Sequence, residues 1–331
     1  MSPRLYDYWL CGGAIVTPWY IVTSAACVED VEYMYAIAGY LKYVPTNLID
    51  SDSCTKAVKK KIVYTCVPRL YELDYAKIEK WSFIDIAVVK VESAYNFDDD
   101  IYTSACSYQP RAININYDPL YQQPNTDAMV FGWGHLDVWR NPDDKQDYNQ
   151  EYMRYAGTRL TDKNECKQYF TNISTLMENV IDKYMLCSIE AGNINEYGEQ
   201  IIKLRPNADG CSPIMRLLRQ GEIENDHGGP LVTWIGSHEV LIGVASVFRV
   251  TQDSKCAGPF LYTSTQCNGI FLDCIINGEN NEARRALCNK PPKELGFYKV
   301  KKYISWKEHP AGLADNEKFL IRPTKPFQYK R

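Results

Sequence analysis

The sequence is short of several features that would assign it a partner or a compartment. Its net charge is only −4 over 331 residues, too small to make nucleic acid or a membrane surface the default partner. No C-x-x-C pair occurs among its twelve cysteines, which argues against a structural zinc site. No apolar run approaches a bilayer span, and Val240–Phe248 is among the longest. The first sixteen residues lack the basic, apolar and small-residue zones of an export signal. Histidine is scarce, at positions 135, 227, 238 and 309 alone, so histidine chemistry has few places to reside. No internal repeat is visible.

What is present describes a folded chain. An apolar share of 45% with 13% aromatic residues can bury a sizeable core, as one large domain or two small ones. Twelve cysteines, an even number spread along the chain, point to a disulfide framework and an oxidising compartment. Asn172-Ile173-Ser174 is a glycosylation sequon, compatible with secretion. Disulfides without an export signal are reconciled by supposing that the sequence starts partway in or that an upstream segment was removed. Short β-branched runs bounded by turn residues recur, as in Tyr20–Thr23, Ile62–Tyr64, Ile86–Val89, Met129–Phe131 and Val240–Val244. An all-β architecture of closed antiparallel barrels follows.

Charge is unevenly spread. From Pro291 to Arg331 ten Lys/Arg face four Asp/Glu, a net +6 that leaves −10 for the rest. Prolines 291, 292, 310, 323 and 326 give this stretch the look of an extended arm after a short helix within Gly278–Leu287. The arm has two readings. It is a solvated or crossed-over tail that packs on its own domain, or it docks an acidic protein or polyanion. In the second, Tyr298, Tyr303, Trp306, Phe319, Phe327 and Tyr329 supply apolar contact.

A family resemblance runs from Cys11 to about Cys274. Asn225-Asp226-His227-Gly228-Gly229-Pro230 resembles the trypsin and chymotrypsin nucleophile loop, Gly-Asp-Ser-Gly-Gly-Pro. Cys11–Ile15 and Val22–Cys27 resemble that family's Cys-Gly-Gly-Ser-Leu-Ile and Leu-Thr-Ala-Ala-His-Cys segments. Ile84–Val91 resembles Asn-Asp-Ile-Ala-Leu-Leu-Lys-Leu. Gly132-Trp133-Gly134, Met185-Leu186-Cys187, Asp209-Gly210-Cys211, Gly243–Phe248 and Cys256…Tyr262-Thr263 follow in the family's order. The resemblance implies two six-stranded antiparallel barrels over residues 1–288 and a basic C-terminal extension over 289–331. Only ten residues precede Cys11, so the first barrel is expected to be short of its N-terminal segment. The stretches 188–210 and 212–224 read as loop insertions.

The same resemblance implies that the chemistry has been lost. Ala26 stands at the catalytic histidine, His227 at the nucleophilic serine, and Asp85 keeps the aspartate. Losing either reacting group of such a triad costs about 10⁶ in kcat, roughly 8 kcal/mol of barrier. Asn225 replaces the glycine of the oxyanion hole. Asp209 takes the trypsin-type specificity position and Ser246 the serine near the aspartate. Phe248 and Phe260 take the two glycine positions of the pocket wall, which would close the pocket. Asp226 is expected to be satisfied locally, with an unformed, zymogen-like hole. For His227, a new nucleophile or a metal ligand is one reading. In the other, its ring crosses into the gap left by Ala26 and hydrogen-bonds Asp85, a carboxylate costly to bury alone.

Three disulfides follow from the resemblance: Cys11–Cys27, Cys166–Cys187 and Cys211–Cys256. For the other six cysteines we expect Cys54–Cys66, Cys106–Cys267 and Cys274–Cys288. No cofactor or metal is expected. The role implied is a secreted, extracellular, non-catalytic homologue that binds protein partners as cofactor, decoy or scaffold. Such homologues are known from arthropod body fluids, although no clip-type domain is visible here. Two alternatives are a structural component of a secreted assembly, using a surface rich in tyrosine (25 in all), and a residual hydrolase working through His227.

Overall fold

A computed structural model describes residues 11–29, 31–74, 76–133, 151–189, 191–194, 227–250, 256–278, 282–289 and 299–309. Five short strands open the chain: β1 (Ala14–Ile15), β2 (Tyr20–Thr23), β3 (Tyr35–Ala36), β4 (Lys60–Pro68) and β5 (Ala87–Val91). A second group follows: β6 (Asn114–Ile115), β7 (Asp127–Gly132), β8 (Arg154–Arg159), β9 (Met185–Ser188), β10 (Ala191–Ile194), β11 (Pro230–Ile235), β12 (His238–Val250) and β13 (Cys256–Ser264). The last strand, β14 (Lys299–Tyr303), returns to the first group. Together they make two curled half-barrels, antiparallel except where β6 runs parallel to β12.

The first sheet has the order β1-β2-β5-β4-β14, with β3 also on β4. Among the described residues the second has eight strands, β10-β8-β7-β11-β12-β13-β9 with β6 on β12, two more than the six expected. The additions are β6, from the stretch between the barrels, and β10, where the chain departs toward its first insertion.

Strand β4 shows how a local defect sets what faces what. Its residues are almost all buried, because each side of the strand meets a different core. The register with β5 shifts between Ile62 and Tyr64, a bulge that changes the inside–outside alternation. Ile62 and Val67 therefore point into the first barrel with Val28, Cys54 and Val91. Tyr64 and Cys66 point to the other side, where Val22, Val88, Val244 and Phe271 join the two halves.

This geometry corrects two expected disulfides. Cys54 lies on α1 (Ser53–Val58), which Asp52 caps by accepting from the Thr55 N–H at 2.8 Å, and it faces the first-barrel core. Cys66 is buried on the opposite face of β4, so a local Cys54–Cys66 closure cannot form. Cys54 is bonded instead to Cys106, just past the helical turn Ile101–Ser104, with Cα atoms 4.8 Å apart. Cys106–Cys267 is thereby excluded, and Cys267 carries a half-exposed free thiol. Cys11–Cys27, Cys166–Cys187 and Cys274–Cys288 are bonded; Cys211 lies outside the described residues.

The basic arm also differs from a docking tail in its first part. β14 pairs with β4 from Lys299↔Pro68 to Tyr303↔Tyr64 and serves as the sixth strand of the first sheet. Ile304 continues it by donating its N–H to the Val63 carbonyl at 3.0 Å. Trp306 then enters the core with no exposed surface, its indole N–H donating to the Ile62 carbonyl at 2.9 Å. Tyr33, Tyr35 and His309 pack their rings around it at 4.7–5.1 Å. Trp306 is therefore no partner contact, whereas Tyr303 stays exposed. Tyr298, Phe319, Phe327 and Tyr329 lie outside the described residues.

Candidate functional site

The site is built around one carboxylate. Asp85 sits at the start of β5 in the turn that enters it, and is wholly buried between the half-barrels. The residue before it, Ile84, has φ 48°, a left-handed conformation that costs a β-branched side chain about 1–2 kcal/mol. The Ile86 N–H donates to the Ile84 carbonyl at 2.8 Å, closing the tight bend that aims the Asp85 side chain inward. In the resembling motif this residue is asparagine, which tolerates that conformation.

Both oxygens of Asp85 are doubly satisfied. Oδ1 accepts from the Ser24 hydroxyl at 2.5 Å and the Ala26 N–H at 2.9 Å. Oδ2 accepts from the Ser246 hydroxyl at 2.7 Å and lies 2.7 Å from His227 Nε2. Burial by itself pushes this carboxyl up. The adjacent imidazole of His227, with the Ser24 and Ala26 donors, outweighs that and holds it below its ordinary 3.8. A carboxylate oxygen only accepts, so His227 Nε2 is the donor in this bond.

His227 is placed by the loop that precedes β11. Its backbone carbonyl accepts from the Gly12 N–H at 2.9 Å, tying the second half-barrel to the cysteine-rich start of the first. Gly228 follows with φ 81°, where a Cβ would lie 2.3 Å from Thr23 Oγ1 and 2.8 Å from the Gly12 carbonyl. Only glycine fits there, for space and for conformation. Gly228 N–H and Gly229 C=O then pair with the backbone of Ala245 at 2.9 Å each, which lays the loop beside Ser246. The His227 side chain is 2% exposed, with the Trp81 ring 6.1 Å away. Its Nδ1 has no hydrogen-bond partner among the described residues.

The imidazole is thus turned inward and hydrogen-bonded to Asp85, the structural of the two readings of this residue. The ring is buried, and one of its nitrogens is committed to the carboxylate. Ala26 is fully buried and contributes only its N–H to the cluster. Ser24 is a donor that motif reading passed over; its place two residues before Ala26, in a buried turn, was the available signal.

Phe260 is buried in the core of the second half-barrel, on β13 opposite Phe248 of β12. Asp209, Asn225, Asp226 and the Phe248 side chain lie outside the described residues. Among the described residues no helix is long and apolar enough to cross a membrane.

Comparisons with known proteins agree with the architecture. The trypsin family profile matches residues 3–195, ending before the loop that carries His227. A venom serine protease of Polistes dominula is 21% identical over 289 residues, 85% of this chain and 78% of its own. Venom serine protease Bi-VSP of Bombus ignitus is 25% identical over 180 residues, 51% of this chain and 45% of its own. Coagulation factor XI of Bos taurus is 26% identical over 179 residues, 24% of its own length. The chain thus spans less than half the length of the latter two. Neuropsin, a serine protease expressed in the limbic system of mouse brain, superposes with a TM-score of 0.50 at 15% identity. That match covers 82% of this chain and 91% of neuropsin, and it speaks to fold alone.

Proposed function

The chain belongs to the trypsin family, and we propose that it is a catalytically silent member that works by binding other proteins outside the cell. The observation that carries this reading is the bond between His227 Nε2 and Asp85 Oδ2. Triad chemistry needs a hydroxyl to attack, an imidazole to take its proton and a carboxylate to orient that imidazole. On this reading the carboxylate survives, the imidazole has moved to the nucleophile's position, and no hydroxyl remains to be activated. Ser24 and Ser246 cannot stand in for it. Both are buried, and both spend their hydroxyl protons on the same carboxylate.

A residual hydrolase working through His227 is disfavoured by the same geometry. The ring is buried, and an attacking nitrogen would have to be presented to a substrate. The disulfides support the extracellular assignment, since such bonds persist in oxidising compartments. Binding as a cofactor, decoy or scaffold then uses the outer surface of a fold stapled by disulfides.

The test has two parts. Purified protein is exposed to a fluorescent active-site phosphonate, and no labelling is expected. The same protein, tagged and returned to its native fluid, is expected to elute in a complex of fixed stoichiometry. Phosphonate labelling that disappears on changing His227→Ala would overturn the proposal.

A further inference from the structure

The turn between α2 (Lys163–Gln168) and α3 (Met177–Tyr184) carries the single N-x-S/T sequon of the sequence, Asn172-Ile173-Ser174. The turn is held firmly from below. Phe170 is buried, and its carbonyl accepts from the N–H of Ile173 at 2.8 Å and of Ser174 at 2.9 Å. The Cys166–Cys187 bridge anchors the preceding helix to β9. Asn172 itself is exposed.

Around it, large side chains stand exposed among polar ones such as Gln168, Thr171 and Thr175. Tyr169 is 37% exposed, Ile173 53% and Leu176 57%, three large side chains within eight residues. Gln168, Tyr169, Asn172 and Ile173 line a shallow depression of about 210 Å³. Scattered exposed apolar residues need no explanation, but Tyr169 and Ile173 share one depression with the sequon asparagine, within reach of whatever is attached to it.

We propose that Asn172 carries an N-linked oligosaccharide whose first N-acetylglucosamine packs against Tyr169, Ile173 and Leu176. A sugar ring has an apolar C–H face and a polar rim, so it can cover such a cluster while keeping its hydroxyls in water. The donor is a lipid-pyrophosphate-linked oligosaccharide of the secretory pathway. The Asn172 side-chain nitrogen forms the new C–N bond to the anomeric carbon and loses one proton. The bond from that carbon to the pyrophosphate oxygen breaks, and the lipid pyrophosphate leaves. The proposal rests on the extracellular reading above.

The full chain, produced behind a secretory leader in insect cells, provides the test by peptide mapping before and after an amidase that releases N-glycans. Asn172 is expected to be occupied, to become aspartate on release, and to lose the modification in an Asn172→Gln variant. Exported protein with unmodified Asn172 would overturn this proposal and leave the extracellular reading intact. Glycosylated protein that never reaches the medium would do the reverse. Packing is read from thermal unfolding: enzymatic release is expected to lower Tm by about 2–4 °C in wild type. It is expected to leave Tm unchanged in a Tyr169→Ser/Leu176→Ser variant. An equal shift in both proteins, or none in either, would refute the contact with the apolar cluster.

Discussion

His227 Nε2 and Asp85 Oδ2 lie 2.7 Å apart across the seam between the two half-barrels, joining residues 142 positions apart in the chain. The imidazole sits on one carboxylate oxygen with Ser246, while Ser24 and the Ala26 N–H share the other. A buried charge so completely enclosed is a structural keystone, and it responds sharply to loss of a partner.

His227→Ser should therefore destabilise the protein by about 3–5 kcal/mol, since it leaves a buried carboxylate short of a donor. Ala26→His alone should also destabilise, because the cluster already fills every acceptor site and overpacking costs about 1–3 kcal/mol. The double variant, with the imidazole moved across, should lose less than the two changes summed. Urea denaturation of all four proteins measures the coupling, and strict additivity would refute the shared-site argument.

Stability should depend on Asp85 in acid. Its folded-state pKa is below the ordinary 3.8, so its contribution is complete above that value. The contribution is lost as pH falls through the lower folded-state value, when the carboxylate takes up a proton. Denaturation midpoints should thus hold near neutral pH and drop below about pH 4. In an Asp85→Asn variant, already weakened, that acid limb should be shallower.

Trp306→Ala should cost about 3–5 kcal/mol, the range for removing a buried indole, although it lies within a stretch that reads as a tail. Tyr303→Ala, three residues earlier and exposed, should stay within about 1 kcal/mol. Comparable effects of the two changes would mean that β14 is not docked as described.

Non-reducing peptide mapping should recover Cys54 linked to Cys106, and no peptide joining Cys54 to Cys66. Replacing Cys54 and Cys106 together by alanine should lower stability by about 2–4 kcal/mol, chiefly by freeing the unfolded chain.

The architecture was legible because its signals are local. Tyr20–Thr23, Ile86–Val89 and Val240–Val244 are short β-branched runs between turns, and all but Ile86 lie in strands. Gly228 entered only as one residue of the matched loop; that the backbone of Gly12 and the side chain of Thr23 approach it too closely for a Cβ is a tertiary fact. The Cys54–Cys66 pairing failed because nearness in sequence does not say which face of a strand a side chain takes, and the bulge between Ile62 and Tyr64 that helps set the face of Cys66 has no residue signature of its own. The arm kept two readings because a lysine-rich, exposed edge strand and a solvated tail share one composition; for β14 through Trp306 the one that packs it on its own domain holds. Only the apolar Ile304 and Trp306 hinted at the difference.

By itself the sequence determined the residue types at the seam: an aspartate, an alanine and a histidine in segments that resemble protease motifs. Which of them meet was decided by the tertiary structure. A hydrogen bond spanning 142 residues depends on how two half-barrels pack and on which way a loop turns its side chain. Neither is encoded in any one stretch. Burial then converts proximity into consequence, because a carboxylate removed from water must be satisfied by whatever donors the fold brings to it.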